Sequence, residues 1–306
     1  MSKTSKIIML SIIGLFLALF ITGTFVDFEI NKAIFSPKHP VTLSISVISN
    51  TLGYGMFAYL GGGAIYFGKA YNLKKQFKIL LYIASVILYG CGVFFAGREV
   101  FGENGFGGVA PGFVGYFVVA PFDALFLYLG YKVVCKTDNP HLWVTYLVLV
   151  IAMAIVFLLL ITAAKSLMHR PRYRGIYEYG HDLYLPWYTR CSNYKELMEI
   201  YDLSKEEFKS FPSGHSASAM LIPMYSLFLT NTKKSYKKAS MIIFPISFAF
   251  GLTVMFSRMH LGAHYLSDVS FGALMTVTMF FVSSLYLSNL YKKRGWDENI
   301  IPPQNN

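Results

Sequence analysis

Charge is scarce in this chain of 306 residues: Asp, Glu, Lys and Arg make up 14% of it, against roughly 25% in an ordinary globular protein. That shortage excludes the pair of soluble domains that length alone would suggest, because a water-facing surface needs such groups. Cysteine is scarce as well. Cys91, Cys135 and Cys191 are odd in number and scattered, and give neither a disulfide framework nor a metal-binding spacing. The sequence also has no convincing internal repeat and no low-complexity linker. What fills it is apolar: 55% hydrophobic residues and 17% aromatic, with a mean hydropathy of +0.47. Disordered and collagen-like chains are poor in large apolar side chains, so both are excluded. The composition belongs in lipid.

A helix needs about 20 apolar residues to cross the hydrocarbon core. Eight nearly uncharged runs approach that length, at residues 7–26, 43–68, 79–97, 109–131, 142–164, 214–232, 239–257 and 265–290. The first is longer than a secretory signal core and no cleavage pattern follows before Asp27, so it reads as an uncleaved helix. The fourth contains Asp123 and is entered through a glycine-rich stretch. Glycines crowd the second run, among them Gly53, Gly55 and Gly61 to Gly63, and favour close helix packing. The expected fold is all-α: a polytopic membrane helix bundle of about eight transmembrane helices.

The formal net charge of +11 is then a topology signal, because cytoplasmic loops retain Lys and Arg. With strict alternation and the N-terminus inside, the inner segments hold 15 basic residues, from Lys3 to Arg294, against the three acids Asp138, Asp297 and Glu298. The outer segments hold 12 basic and 12 acidic residues, with Asp123 intramembrane. The inner side is thus +12 and the outer side neutral, which places both termini in the cytoplasm. The excess charge orients the chain and calls for no nucleic acid.

Three polar clusters interrupt the apolar pattern, all on the outer side. Lys165, Arg170, Pro171 and Arg172 follow the fifth run; Pro212-Ser213-Gly214-His215 opens the sixth; Arg258, His264 and Asp268 join the seventh to the eighth. Lys165, Arg172 and Arg258 supply fixed positive charge and many N–H donors, suited to an oxyanion such as phosphate. Gly214 permits close backbone approach, and the helix starting there offers free N–H groups to an anion. His264 and Asp268, four apart, share a helix face, so the carboxylate can hold one ring nitrogen protonated and leave the other nucleophilic. His215 is left as a general acid.

The order Lys-x6-Arg, Pro-Ser-Gly-His, Ser-Arg-x5-His-x3-Asp resembles the three-part signature of the type 2 phosphatidic acid phosphatase superfamily, over roughly residues 142–290. The resemblance implies a metal-independent lipid phosphate phosphatase with a six-helix phosphatase core and two additional N-terminal spans. It implies that Lys165, Arg172, Arg258, Ser213 and the Gly214 backbone bind phosphate, that His215 protonates the leaving group, that His264 forms a phosphohistidine, and that Asp268 orients His264. The family's first motif ends Arg-Pro, whereas here that pair sits early, at Arg170-Pro171; spacing selects Arg172 and leaves Arg170 as a possible supporting contact. No cofactor is implied. The partners implied are a lipid phosphate substrate and membrane lipids.

The chain divides accordingly into N-terminal transmembrane helices (1–141), a phosphatase core (142–290) whose outer loop spans 165–212, and a cytoplasmic tail (291–306). The loop is rich in tyrosine, fitting an interfacial cap or a lid. Asn193 with Glu196, and Ser204 with Glu207, resemble capping boxes for two short helices. Asp123 is either functional or held in a helix–helix hydrogen bond; His169 and His260 have no required role. A lipid phosphotransferase with the same site, or a lipid or ion transporter, are alternatives, but a transporter should show inverted repeats and polar groups at the midplane.

Overall fold

The computed structural model of the protein describes residues 3–102, 105–136, 140–232 and 236–294. The topology assignments of Asp138, Lys233, Lys234 and tail residues 295–306 fall outside them. Among the described residues there is no strand; the helices are α1 (Lys3–Ile34), α2 (Pro40–Ala70), α3 (Lys75–Val100), α4 (Val114–Cys135), α5 (Pro140–Met168), α6 (Tyr173–Ile176), α7 (Tyr194–Ile200), α8 (Gly214–Thr232), α9 (Tyr236–His260) and α10 (Leu266–Arg294). Each of the eight apolar runs is one long helix, as lipid requires, since a spanning backbone must satisfy its own hydrogen bonds. The fourth starts later than its run because the chain turns at Pro111, whose carbonyl accepts from Val114 N. Six of the helices, α1 to α4, α9 and α10, are long and apolar enough to cross a membrane among the described residues.

Packing divides the bundle differently from the sequence. α1 lies along α10 and α2 lies against α8 and α9, whereas α3 and α4 pack chiefly on α2 and on each other. The first core joins Met9 and Phe16 of α1 to Met220 of α8, Met255 of α9 and Val269, Ala273 and Val277 of α10. A second, made by Leu60, Ala64, Leu88 and Val134, holds α2, α3 and α4 together. The helices that stand away from the three signature segments are therefore α3 and α4, in the middle of the N-terminal half. Large apolar side chains such as Phe25, Val86, Phe117 and Ile246 point outward, the surface expected of a protein solvated by lipid tails.

The loop 165–212 carries α6, α7 and two 3-10 turns at Gly180–Leu183 and Lys205–Phe208. Asn193 and Ser204 do precede helical turns, but neither makes a side-chain cap hydrogen bond. Glu207 is instead drawn to Arg174, at 2.7 Å, a charged pair stronger than a capping bond. Rings anchor the loop. Trp187 stacks on Phe211 and donates to Thr24 of α1, and Tyr173, Tyr184 and Tyr265 cluster with Phe28. Asp123 is enclosed in α4 against Gly55 and Gly92, and neither carboxylate oxygen has a hydrogen-bond partner among the described residues.

Candidate active site

Backbone bonds bring the three sequence clusters to one end of the bundle. Arg170 carbonyl accepts from Ser210 N, Gly262 carbonyl from Arg174 N, and Asp268 carbonyl from Ser213 N. The α9–α10 turn depends on Gly262 at φ 62°, where a Cβ would meet the Phe35 ring at 2.6 Å. Close approach matters again at Gly272 of α10: a Cβ there would strike the Ser213 carbonyl oxygen.

A cavity of about 710 Å³ opens beside these segments. It is lined by Lys165, Arg172, Gly214, His215 and His264, together with His169, Lys205, Glu206 and Lys209. Apolar side chains line it too, from Phe57 of α2, Phe157 and Ile161 of α5, Leu221 of α8, and Met279 and Phe280 of α10, with Asn50 of α2 and Arg98 and Glu99 of α3 among them. The N-terminus of α8 starts at Gly214, in the cavity wall, so its free N–H groups and positive dipole end face the same space as the cations.

The remaining expected site residues stand behind this wall. Ser213 is buried, and its hydroxyl oxygen accepts from Ser216 Oγ at 3.0 Å and from Ser216 N at 3.4 Å, the second bond making it the cap of α8. Arg258 is also buried and donates through Nη1 to Ser46 of α2 at 2.7 Å. Arg170 lines nothing in the cavity. Its Nη1 donates to Asp268 at 2.5 Å and Ser267 at 2.9 Å, its Nη2 to Asp27 of α1 at 2.9 Å, and its Nε to the Leu185 carbonyl at 2.8 Å. Burial opposes charge on this guanidinium, but Asp268 and Asp27 outweigh it and hold its pKa above the ordinary range. Arg170 thus supports Asp268, and Arg172, two residues on, faces the cavity.

His264 is held by an unexpected partner. Its Nδ1 lies 2.6 Å from the Ser210 carbonyl and 3.7 Å from Asp268 Oδ2, so the hydrogen bond goes to the carbonyl. A carbonyl only accepts, so Nδ1 carries the proton and Nε2 keeps its lone pair. Asp268 acts one step removed, accepting from Ser210 Oγ at 2.5 Å and from Tyr265 N at 2.9 Å. Burial, with the charges of Arg258 and Arg172, pushes the His264 pKa down to about 3 despite Asp268. Arg172 is pushed down to about 10 by burial and by neighbouring Arg174. Both shifts describe an enclosed, electropositive space in which an anion would be stabilised.

Sequence reasoning missed five residues that complete this frame. Ser210 links Arg170, His264 and Asp268. Asp27 and Asn31 of α1 hold Arg170, Ser267 N and the His264 carbonyl. Ser46 and Asn50 of α2 hold Arg258 and His215. Polar side chains inside or at the edge of apolar runs are the signal that could have marked four of them. Among the described residues no group of three or more His, Cys, Asp or Glu side chains is placed to hold a metal.

Comparison with known proteins follows the same boundaries. Residues 143–292 match the model of the PAP2 superfamily. The chain is 30% identical over 99 residues to phosphatidylglycerophosphatase B of Bacillus subtilis (strain 168), a match covering 32% of this chain and 44% of that protein. The chain therefore spans less than half of this relative's length. No solved structure matches it.

Proposed function

From the match of residues 143–292 to the PAP2 superfamily, we propose that the protein is an integral-membrane lipid phosphatase acting through a phosphohistidine. The observation that carries the reading is the meeting of Lys165, Arg172, His215 and His264, from three separate segments, in one cavity that is also lined by many apolar side chains. Such a space suits a phosphate joined to a hydrocarbon chain.

In the proposed reaction the His264 Nε2 lone pair forms a bond to phosphorus while the bond to the lipid oxygen breaks. His215 gives its proton to that departing oxygen. Lys165, Arg172 and the α8 N–H groups, with Arg258 behind them, stabilise charge on the equatorial oxygens. Water then attacks the phosphohistidine, returns a proton to His215 and frees phosphate. The working unit in this reading includes α1 and α2 as well as residues 142–290, and the loop 165–212 serves as a lid over the cavity. Phosphatidate, phosphatidylglycerophosphate and polyprenyl diphosphate are the candidate substrates; the Bacillus subtilis relative's name favours the second. The excess of Lys and Arg in alternate loops supports cytoplasmic termini and an active site on the outer face.

The test is phosphate release by the purified protein from a panel of these lipids in EDTA, wild type against His264→Ala. Wild-type turnover that drops by at least about a thousandfold in the variant is expected for loss of a covalent nucleophile. Undiminished turnover in the variant, no turnover by wild type, or a strict need for added metal would each defeat the reading. Labelled phosphoryl groups should appear as free phosphate; recovery on an acceptor alcohol would mark a phosphotransferase.

A further inference from the structure

His215 has one neighbour that none of the signature segments supplies. Asn50, on α2 and outside residues 143–292, places its side-chain amide nitrogen 2.8 Å from His215 Nε2. Asn50 is 2% exposed and lines the same cavity. Its reach is fixed by packing. Gly53, one turn further along α2, brings the helix so near α8 that a Cβ would lie 3.0 Å from the Ser218 Cβ, and Ser46, one turn earlier, grips Arg258. Asn50 Oδ1 has no hydrogen-bond partner among the described residues.

We propose that Asn50 is a positioning residue for proton transfer, fixing which ring nitrogen of His215 gives up the proton. The two ends of an amide are interchangeable by a half-turn, which would set Oδ1 against Nε2. When His215 is protonated both ring nitrogens carry hydrogen, so its partner must accept; Asn50 Oδ1 accepts from Nε2–H. Nδ1 then delivers its proton to the leaving oxygen and regains one from water, while the Nε2–H bond to Asn50 is kept throughout. The other groups facing His215 are Arg258 from α9, His264 from the α9–α10 turn, Lys165 from α5 and Arg172 from the loop after it. Three of the four are basic side chains, so a neutral amide supplies orientation without adding charge.

This inference rests on the phosphatase reading, and the experiment separates the two. Phosphate release from a lipid phosphate is followed against pH for wild type, Asn50→Ala and the isosteric Asn50→Asp, with thermal unfolding as a check on folding. Asn50→Ala should lose roughly ten- to a hundredfold in kcat with KM within about threefold, part of the range for a general acid. Asn50→Asp should retain more activity and move the alkaline limb of the profile upward, since a carboxylate holds the His215 proton more tightly. Wild-type profiles in both variants, equal losses with an unmoved limb, or a change in KM alone would overturn it. A wild type that releases no phosphate defeats the underlying reading and this inference with it.

Discussion

Arg170 and Asp268 form an enclosed ion pair, Nη1 to Oδ1 at 2.5 Å with both side chains fully shielded from solvent. Asp27 completes it from the other side. The first signature segment therefore holds one arginine in a buried ion cluster and another, Arg172, at the cavity. Removing one member of a buried charged cluster leaves the others uncompensated, at a cost of about 3–5 kcal/mol.

Arg170→Ala should accordingly lower the thermal unfolding midpoint sharply, whether or not substrate is present. Arg172→Ala should leave that midpoint near wild type and reduce kcat/KM by at least about a hundredfold, the loss of an oriented transition-state donor. Unfolding and phosphate release measured on both variants decide it. A destabilised Arg172→Ala beside a stable, inactive Arg170→Ala would reverse the assignment.

Stability should also depend on pH through His264. The unfolded chain protonates this histidine as pH falls through about 6.5, while the folded protein keeps it neutral down to about 3. Between those values the unfolded state binds more protons, so stability falls as pH falls; above about 6.5 the contribution is constant. The slope is at most about 1.4 kcal/mol per pH unit. The unfolding midpoint of wild type should drop more than that of His264→Gln between pH 7.5 and pH 5. Equal drops would show that His264 does not titrate this way.

The bundle was legible because membrane spans announce themselves as apolar runs, and the cavity lining because its cations and histidines sit in an ordered signature. The frame behind the lining was not. Asp27 read as the residue after a span, but α1 continues to Ile34 and turns it inward to Arg170. Asn50 is a lone amide in an apolar run, and nothing local ties it to a histidine 165 positions away. The His264 and Asp268 spacing predicted a direct bond, yet their helix begins at Leu266, so His264 lies in the turn before it and meets the Ser210 carbonyl.

Two glycines separate packing from ligand approach. At Gly272→Ala the new methyl would strike the Ser213 carbonyl, which is backbone and cannot swing aside, so α10 and the start of α8 must part. Lower unfolding temperature and lower turnover should appear together. At Gly214 a Cβ would meet no protein atom within 4 Å and would project at the cavity. Gly214→Ala should unfold near wild type while raising KM or lowering kcat. Wild-type kinetics in Gly214→Ala would show that phosphate does not approach that backbone.

The charge asymmetry can be tested with the protein's own thiols. Cys135 is exposed at the end of α4, where the charge count predicts an inner loop, whereas Cys191 is buried in loop 165–212, its backbone N–H donating to the Met168 carbonyl. An impermeant maleimide should therefore leave intact cells unlabelled and react at Cys135 only after the membrane is opened. In a variant with Cys91, Cys135 and Cys191 replaced by Ser, Lys195→Cys on α7 should be labelled in intact cells. Labelling of Cys135 from outside, with Lys195→Cys protected, would invert the bundle and place the phosphate site on the cytoplasmic face.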